Sequence, residues 1–257
     1  MKITLLGCGV STGVPAIGGN WGRCDPADPR NRRRRSSVLI ECRGKTLLID
    51  TSPDLREQLL DAGIARIDAV LLTHAHADHL HGIDDLRSVN RLMKQAIPLY
   101  ATTGTLAEVD ARFGYVLKPL PPEGPFFRPA LTPHEIAGPF VAAGVPVVPF
   151  TQDHGFSTTL GFRIGAFAYS TDVVELENAA FQTLDGIELW FVDCLRREPH
   201  PTHSHVAKSL SWIARVKPRR AVFTHMDHTL DYCELSAELP SGVEPGRDGL
   251  VVELPDP

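Results

Sequence analysis

The chain has 257 residues, of which 43% are hydrophobic and 22% are charged, so it is long and apolar enough to bury a sizeable core as one globular domain over residues 1–257. Its formal net charge of -5 argues against broad nucleic-acid binding, which needs an extended basic surface. Five scattered cysteines without a C-x-x-C pair, and a strand-like start with no signal peptide, predict a cytoplasmic protein. No apolar run approaches the length of a membrane span.

Strand-like apolar runs recur along the chain, and several of them end at an aspartate or a histidine. The runs cover residues 2–6, 36–41, 45–49, 68–73, 145–150, 166–171 and 220–224. Helical patterns follow some of them, at residues 53–62, 82–95 and 205–216. Two groups of strands with interspersed helices predict an α/β (α+β) fold in which two sheets pack together and helices lie outside.

The densest group of candidate metal ligands begins where the apolar run 68–73 ends. It consists of His74, His76, Asp78 and His79. In extended backbone, residues i and i+2 point the same way, so the first two histidines can bind one ion together. Asp78 and His79 lie beyond the bend and can serve a second ion. The motif therefore predicts a site for two metals.

Two half-sites of this kind need further ligands, and we expect these at the ends of other strands. His154, Asp172 and His225 each follow a strand-like run. Because one carboxylate can bridge two ions, Asp172 is the natural bridge. Asp50 follows the run 45–49 and is expected either to orient the ligand loop from behind or to serve only as a turn former.

In this order, the ligands resemble those of the metallo-β-lactamase-fold hydrolase superfamily. The resemblance implies an αββα sandwich, two mixed sheets flanked by helices, with a dinuclear site on one edge between the sheets. It implies that one ion binds His74, His76 and His154, that the other binds Asp78, His79 and His225, and that Asp172 is shared.

Segments 6–15 and 31–37 resemble the phosphoribosyl cyclic phosphate phosphodiesterase group, a branch more distantly related to ribonuclease Z. β-Lactamases of this fold usually carry Cys where this chain has Asp172, which argues against lactam hydrolysis. Both related groups have a late histidine that corresponds to His203, our candidate general acid for the leaving alkoxide. Some phosphodiesterases of the group also hold a structural zinc in a cysteine cluster. Here Cys24 stands without three of those thiolates, although His228 fits the histidine position, so that zinc is not expected.

Arg35 and Ser11 are the candidate substrate-binding residues. Arg35 belongs to the basic run 32–35, which is either a solvated face or the source of an arginine that reaches a substrate phosphate. Ser11 lies in segment 6–15, whose glycines are expected to bring backbone close to the metals.

A proline-rich insertion at about 118–149 is the one shift in composition along the chain. It contains Phe126, Phe127 and Phe140, and we expect either a packed lid, a contact in a homodimer or a passive surface insertion.

These features predict a dinuclear, metal-dependent phosphodiesterase that hydrolyses small cyclic or nucleotide-like phosphodiesters with a metal-bound hydroxide. The ligand set suits zinc, manganese or iron about equally. Two alternatives stay open: a ribonuclease Z-like nuclease, and a non-hydrolytic binding protein of cofactor biosynthesis. The acidic charge argues against the first, and the intact ligand set argues against the second.

Overall fold

The computed structural model describes residues 1–118 and 131–257 and contains two β-sheets packed face to face. In the described residues the first sheet has the strand order β14 (Leu250–Glu253), β1 (Lys2–Gly7), β2 (Ser37–Cys42), β3 (Lys45–Ile49), β4 (Ala69–Leu71), β5 (Ile97–Ala101), β6 (Leu131–Glu135). The second has the order β13 (Val243–Pro245), β12 (Arg220–Thr224), β11 (Leu189–Asp193), β10 (Phe167–Ser170), β9 (Thr158–Ile164), β8 (Val145–Asp153), β7 (Phe140–Ala142). Both sheets are mixed: β3 to β6 and β10 to β13 pair in parallel, and the other neighbours pair antiparallel.

Helices cover the outer faces of the two sheets. The helices are α1 (Leu55–Asp61), α2 (Ala77–Leu80), α3 (Leu86–Met93), α4 (Thr103–Leu117), α5 (Asn178–Leu184), α6 (Val206–Val216) and α7 (Tyr232–Glu238), with 3₁₀ turns at Pro29–Asn31 and Ile83–Asp85. The first four contribute apolar side chains to a core on the first sheet, and the last three to the core that contains the second sheet. The expected αββα sandwich is confirmed.

The central strands are buried on both faces, because alternate side chains enter different cores. In β3, Leu47 and Ile49 pack between the sheets, whereas Leu48 packs against the outer helices. This double burial explains why β3 and β4 are continuous apolar runs in the sequence. It also holds their carboxyl ends rigidly, and the candidate ligands follow those ends.

The proline-rich stretch is not one long loop. Residues 131–149 contain β6, β7 and the start of β8, and Pro133 is tolerated because β6 is an edge strand within the described residues. The ring of Phe140 stacks on Tyr100 at 4.8 Å between centroids, so this side chain belongs to the sandwich edge and is not part of a free lid. Phe126 and Phe127 lie outside the described residues.

The described helices include none that is both long enough and apolar enough to cross a bilayer.

Candidate metal centre

The candidate functional side chains lie at the carboxyl ends of strands that run in the same direction. Strands β8, β10, β11 and β12 are mutually parallel, and Asp193 is the last residue of β11. His154, Asp172 and His225 follow the other three strands within two residues. Asp50 follows β3 in the first sheet. The two sheets therefore bring carboxylates and imidazoles to one edge of the sandwich.

The ligand motif changes from extended chain to helix in its middle. His76 has extended backbone and precedes α2, which carries Asp78 and His79. The turn after α2 packs closely on the segment after β3: a Cβ atom on Gly82 would lie 1.9 Å from the carbonyl oxygen of Ser52. Glycine is therefore required at this close approach. This change from extended chain to helix places four candidate ligands of the motif around one short turn.

The first group of donor atoms comes from His74, His76, His154 and Asp172, and these atoms lie within 4.8 Å of one another. The Oδ1 atom of Asp172 is 3.8 Å from His74 Nε2 and 3.7 Å from His154 Nε2. Ligands at about 2.1 Å from a shared ion are roughly 3 to 4 Å apart, so these separations suit a common metal.

The second group comes from Asp78, His79, Asp172 and His225. The Oδ2 atom of Asp172 is 3.0 Å from His79 Nε2 and 3.4 Å from His225 Nε2. Asp78 Oδ2 lies 3.3 Å from each of the same two nitrogens. The two oxygens of Asp172 thus face different donor groups, which is the arrangement that a bridging carboxylate requires.

Contacts on Nδ1 orient several of the rings. His79 Nδ1 lies 2.7 Å from Asp50, His154 Nδ1 donates to the carbonyl oxygen of Thr202 at 2.7 Å, and His74 Nδ1 is 2.9 Å from Thr73 Oγ1. Such contacts leave Nε2 free as a metal ligand. Indeed, the Nε2 atoms of His74 and His79 are buried and have no hydrogen-bond partner in the described structure. A divalent ion satisfies orphaned nitrogens of this kind, so the residues present fit a metal.

The pKa values of the candidate histidine ligands depend on their burial and on the neighbouring carboxylates. Burial lowers the pKa of His74 well below its ordinary value, which favours the neutral, ligating form. Burial would also lower the pKa of His79 and of His225, but Asp172 and the neighbouring carboxylates outweigh it: they raise the pKa of His79 strongly and that of His225 to about 9. The carboxylates at this edge of the sandwich therefore stabilise positive charge at the site.

His203 lies beside both donor groups. Its ring stacks on that of His225 at 4.8 Å between centroids, and its Nε2 is 3.9 Å from Asp172 Oδ1. Its Nδ1 is 3.5 Å from Asp193 Oδ1. Asp193 is fully buried and accepts hydrogen bonds from the backbone N–H groups of Asp172 and Ser204. Asp193 therefore positions the segment that carries His203.

Sequence reasoning missed Asp193. This residue ends the fully buried strand β11. The same signal that identified Asp172, an acidic residue at the end of an apolar run, would have found Asp193.

A cavity of about 440 Å³ opens over this centre. The candidate ligands and acid on its wall are His76, Asp78, His154, Asp172, His203 and His225. Ser11, Phe156, Ser157 and Thr202 complete the lining. The volume lies within the usual range of small-molecule sites.

The two candidate substrate-binding residues are placed differently. Ser11 is exposed and lines the cavity, as its role requires. Arg35 is absent from the described lining, and its Nε lies 2.9 Å from Asp54 Oδ2. Of its neighbours, Arg34 pairs with Asp61 and Arg33 is buried. Arg35 is thus held in a structural ion pair.

Arg33 joins the amino-terminal segment to the loop after His225. Its guanidinium donates to the carbonyl oxygens of Asp227 at 2.9 Å and Leu230 at 2.5 Å. Cys24 is buried beside it, with Sγ 3.4 Å from Leu230 O. Within the described residues, neither Cys24 nor His228 belongs to a group of potential metal ligands.

Three residues around the centre have left-handed backbone without being glycine. The φ angles of Asp50, Asp172 and His225 are 63°, 54° and 58°. Each lies just beyond a strand end, where the chain changes direction. This conformation is strained for residues with a Cβ atom.

Comparisons with known proteins agree with this geometry. Residues 45–226 match the family model of the β-lactamase superfamily domain. Over 97% of its length the chain is 36% identical to an octanoyltransferase of Porphyromonas gingivalis, but it spans only 51% of that protein. The crystal structure of a new diphosphatase from the PhnP family has a TM-score of 0.90 and 36% identity, with coverage of 99% of this chain and 98% of that chain. A ribonuclease Z of a Bradyrhizobium species is 35% identical over 30% of this chain and 27% of its own length.

The chain belongs to the metallo-β-lactamase-fold hydrolase superfamily, in the branch that includes the PhnP family and relatives of ribonuclease Z. This fold implies divalent metals, and the two groups of histidine and aspartate donors fit them. About half of the octanoyltransferase lies outside the match, so its name assigns no activity to this chain.

Proposed function

We propose that this protein is a metal-dependent phosphodiesterase that binds two divalent ions and hydrolyses small cyclic or nucleotide-like phosphodiesters. The observation that carries the proposal is Asp172, whose two oxygens face separate donor groups beside one small cavity. When bound, such ions activate a water and neutralise charge on the phosphoryl oxygens. With histidine and aspartate ligands and no thiolate, the ions are zinc, manganese or iron.

The chain's own residues supply the remaining functions. We assign the protonation of the departing oxygen to His203, which lines the cavity and whose Nε2 lies 3.9 Å from Asp172 Oδ1. Asp193 holds the His203 segment in position through Ser204. Ser11 offers a hydroxyl to a substrate oxygen at the opening of the cavity.

The small number of free positive charges supports a small substrate. Nucleic-acid enzymes gain affinity by neutralising several phosphates, which needs a set of free cations. Here Arg30, Arg34 and Arg35 pair with aspartates, Arg33 is buried against carbonyl oxygens, and Arg32 is exposed. The basic run therefore contributes little free positive charge, and the cavity accommodates a small phosphodiester better than tRNA.

A second candidate activity is hydrolysis of a small diphosphate. It is favoured by the 36% identity to a structure described as a diphosphatase over almost the whole of both chains. Both reactions displace an oxygen from phosphorus, and the same residues serve either one. They differ in the leaving group, which is an alkoxide in one case and a phosphate in the other.

The test combines metal analysis with a substrate panel. Purified protein is assayed for bound metals and for kcat/KM on bis(p-nitrophenyl) phosphate, a cyclic ribose phosphate, a nucleoside diphosphate derivative and a tRNA precursor at several salt concentrations. We expect two metals per chain, turnover of a small phosphodiester, and loss of turnover in Asp172→Ala. The matched control is Glu57→Gln, an exposed change on α1. Two tightly bound metals with unchanged kcat in Asp172→Ala, or a strong tRNA preference with a steep salt slope, would contradict the proposal.

A further inference from the structure

The loop between β8 and β9 presents an aromatic ring at the opening of the metal cavity. The side chain of Phe156 is 94% exposed, and it also lines the cavity that contains the donor groups. Exposing a phenyl ring to water forgoes the favourable burial of its apolar surface. Among the described lining residues it is the one phenyl, phenol or indole ring.

The backbone that carries the ring forms a hydrogen-bonded turn. His154 N donates to Ser157 O at 2.9 Å, and Phe156 N donates to His154 O at 3.0 Å. Gly155 N donates to Asp153 Oδ1 at 2.7 Å. The turn thus ties Phe156 to the metal donor His154, which lies two residues away.

The same turn packs against the segment that carries the candidate acid. Gly155 has a φ of +76°, and a Cβ atom there would lie 2.8 Å from Pro201 O and 2.9 Å from Thr202 Cγ2. Glycine is therefore needed for this contact. Because Thr202 O also accepts from His154 Nδ1, the turn that carries Phe156, the metal donor and the His203 segment pack together, while the ring itself stays exposed.

The cavity lining contains polar groups in addition to the phenyl ring of Phe156. Ser11, Ser157 and Thr202 carry hydroxyl groups and line the same cavity as the exposed ring and the donor groups. A lining of this composition suits a ligand that combines a phosphoryl group, hydroxyls and a planar ring. Planar bases stack on aromatic side chains, whereas sugar hydroxyls form hydrogen bonds with serine and threonine.

We infer that Phe156 is a specificity-determining residue that stacks on the base of a nucleoside-type substrate whose phosphorus lies at the metals. The inference rests on the proposed phosphodiesterase function and deepens it, because it selects nucleoside phosphodiesters over sugar phosphodiesters without a base.

The kinetic test compares two substrates with the same scissile bond: adenosine 2′,3′-cyclic phosphate and the cyclic phosphate of methyl ribofuranoside, which has no base. We expect Phe156→Ala to lower kcat/KM roughly 10-fold for the adenosine substrate and less than about twofold for the other, because stacking of a base contributes this much. Phe156→Trp should preserve the preference. The matched control is Leu92→Ala, which removes another exposed apolar side chain outside the described cavity lining.

A second measurement does not depend on turnover. In metal-loaded Phe156→Trp, adenosine monophosphate should quench the added tryptophan fluorescence, and ribose 5-phosphate should not. Equal losses on both substrates, no base preference in the unmodified protein, or no selective quenching would overturn the inference. If neither substrate is hydrolysed but adenosine monophosphate still quenches selectively, the proposed reaction fails while the role of Phe156 in binding stands.

Discussion

Asp50 lies directly behind His79, with its Oδ2 2.7 Å from Nδ1 of the ring, and both side chains are fully buried. The N–H and hydroxyl of Thr73 donate to the same carboxylate. Asp50 thus does more than form a turn: it fixes the ring orientation of a candidate ligand without lining the cavity described above. Asp50 therefore influences the candidate metal site through its contact with His79.

Asp50→Asn should weaken metal binding roughly 10- to 100-fold, because the amide keeps the shape of the carboxylate but removes the charge that orients and polarises the imidazole. Competition with a chelator of known affinity measures the change. Glu57→Gln, which removes an exposed carboxylate from α1, should leave the affinity as it is. Equal metal affinity in Asp50→Asn and the unmodified protein would remove Asp50 from this role.

His203→Ala should keep its metals and lose rate mainly on substrates with poor leaving groups. A general acid matters most when the departing alkoxide is basic, so an activated aryl ester should lose least. Metal content by mass spectrometry and the slope of log kcat against leaving-group pKa are the measurements. A uniform loss over good and poor leaving groups would mean that His203 does not donate the proton.

Arg33→Met should lower the free energy of unfolding by about 3 kcal/mol, since it leaves two buried carbonyl acceptors without their charged donor. Denaturant titration measures the effect. The control is Arg32→Met on the adjacent exposed residue, which should change stability little. Similar losses in the two variants would show that the buried contacts of Arg33 are not the cause.

Asp248 should make stability depend on pH. Burial raises the pKa of this carboxyl from 3.8 to about 6, although the N–H groups of Arg34 and Cys8 donate to it. A raised pKa means that the folded state binds the proton more tightly, so the contribution of Asp248 to stability rises as pH falls through about 6 and levels off below 3.8.

The measurement is the Tm difference between the unmodified protein and Asp248→Asn, because asparagine does not titrate. We expect this difference to shift in favour of the unmodified protein as the pH is lowered from 7 to 4.5. A constant difference, or a shift in the other direction, would contradict the assignment.

Much of the sandwich could be predicted because its central strands are apolar on both faces and end at polar residues. The expected strand at 45–49 and the helix at 205–216 match β3 and α6 to within a residue. Helix α4 was missed, since it buries little more than Thr105, Val109 and Val116 and so has a weak apolar stripe. Strands β6 and β7 were missed because prolines dominated the pattern, whereas the start of β8 was expected from the run 145–150.

At the site, residue type and order along the chain were enough to propose all seven ligands, and the structure brings these side chains together. Of the side chains behind the ligands, the sequence indicated Asp50 but not Asp193 or Arg33. Asp193 touches the site through backbone N–H groups. Arg33 is one of a rare class of charged residues that are almost fully buried, and its neighbours in the sequence are exposed or ion-paired. The role of Arg33 depends on contacts with residues nearly 200 positions away.

The left-handed backbone at Asp50, Asp172 and His225 has a consequence for evolution and engineering. Each such residue costs the fold on the order of 1 kcal/mol that glycine would not. A selection for heat resistance alone would therefore favour glycine at these three positions, and each gain in thermal tolerance would remove part of the metal centre. At this edge of the sandwich, selection for the candidate metal centre and selection for stability therefore favour different residues.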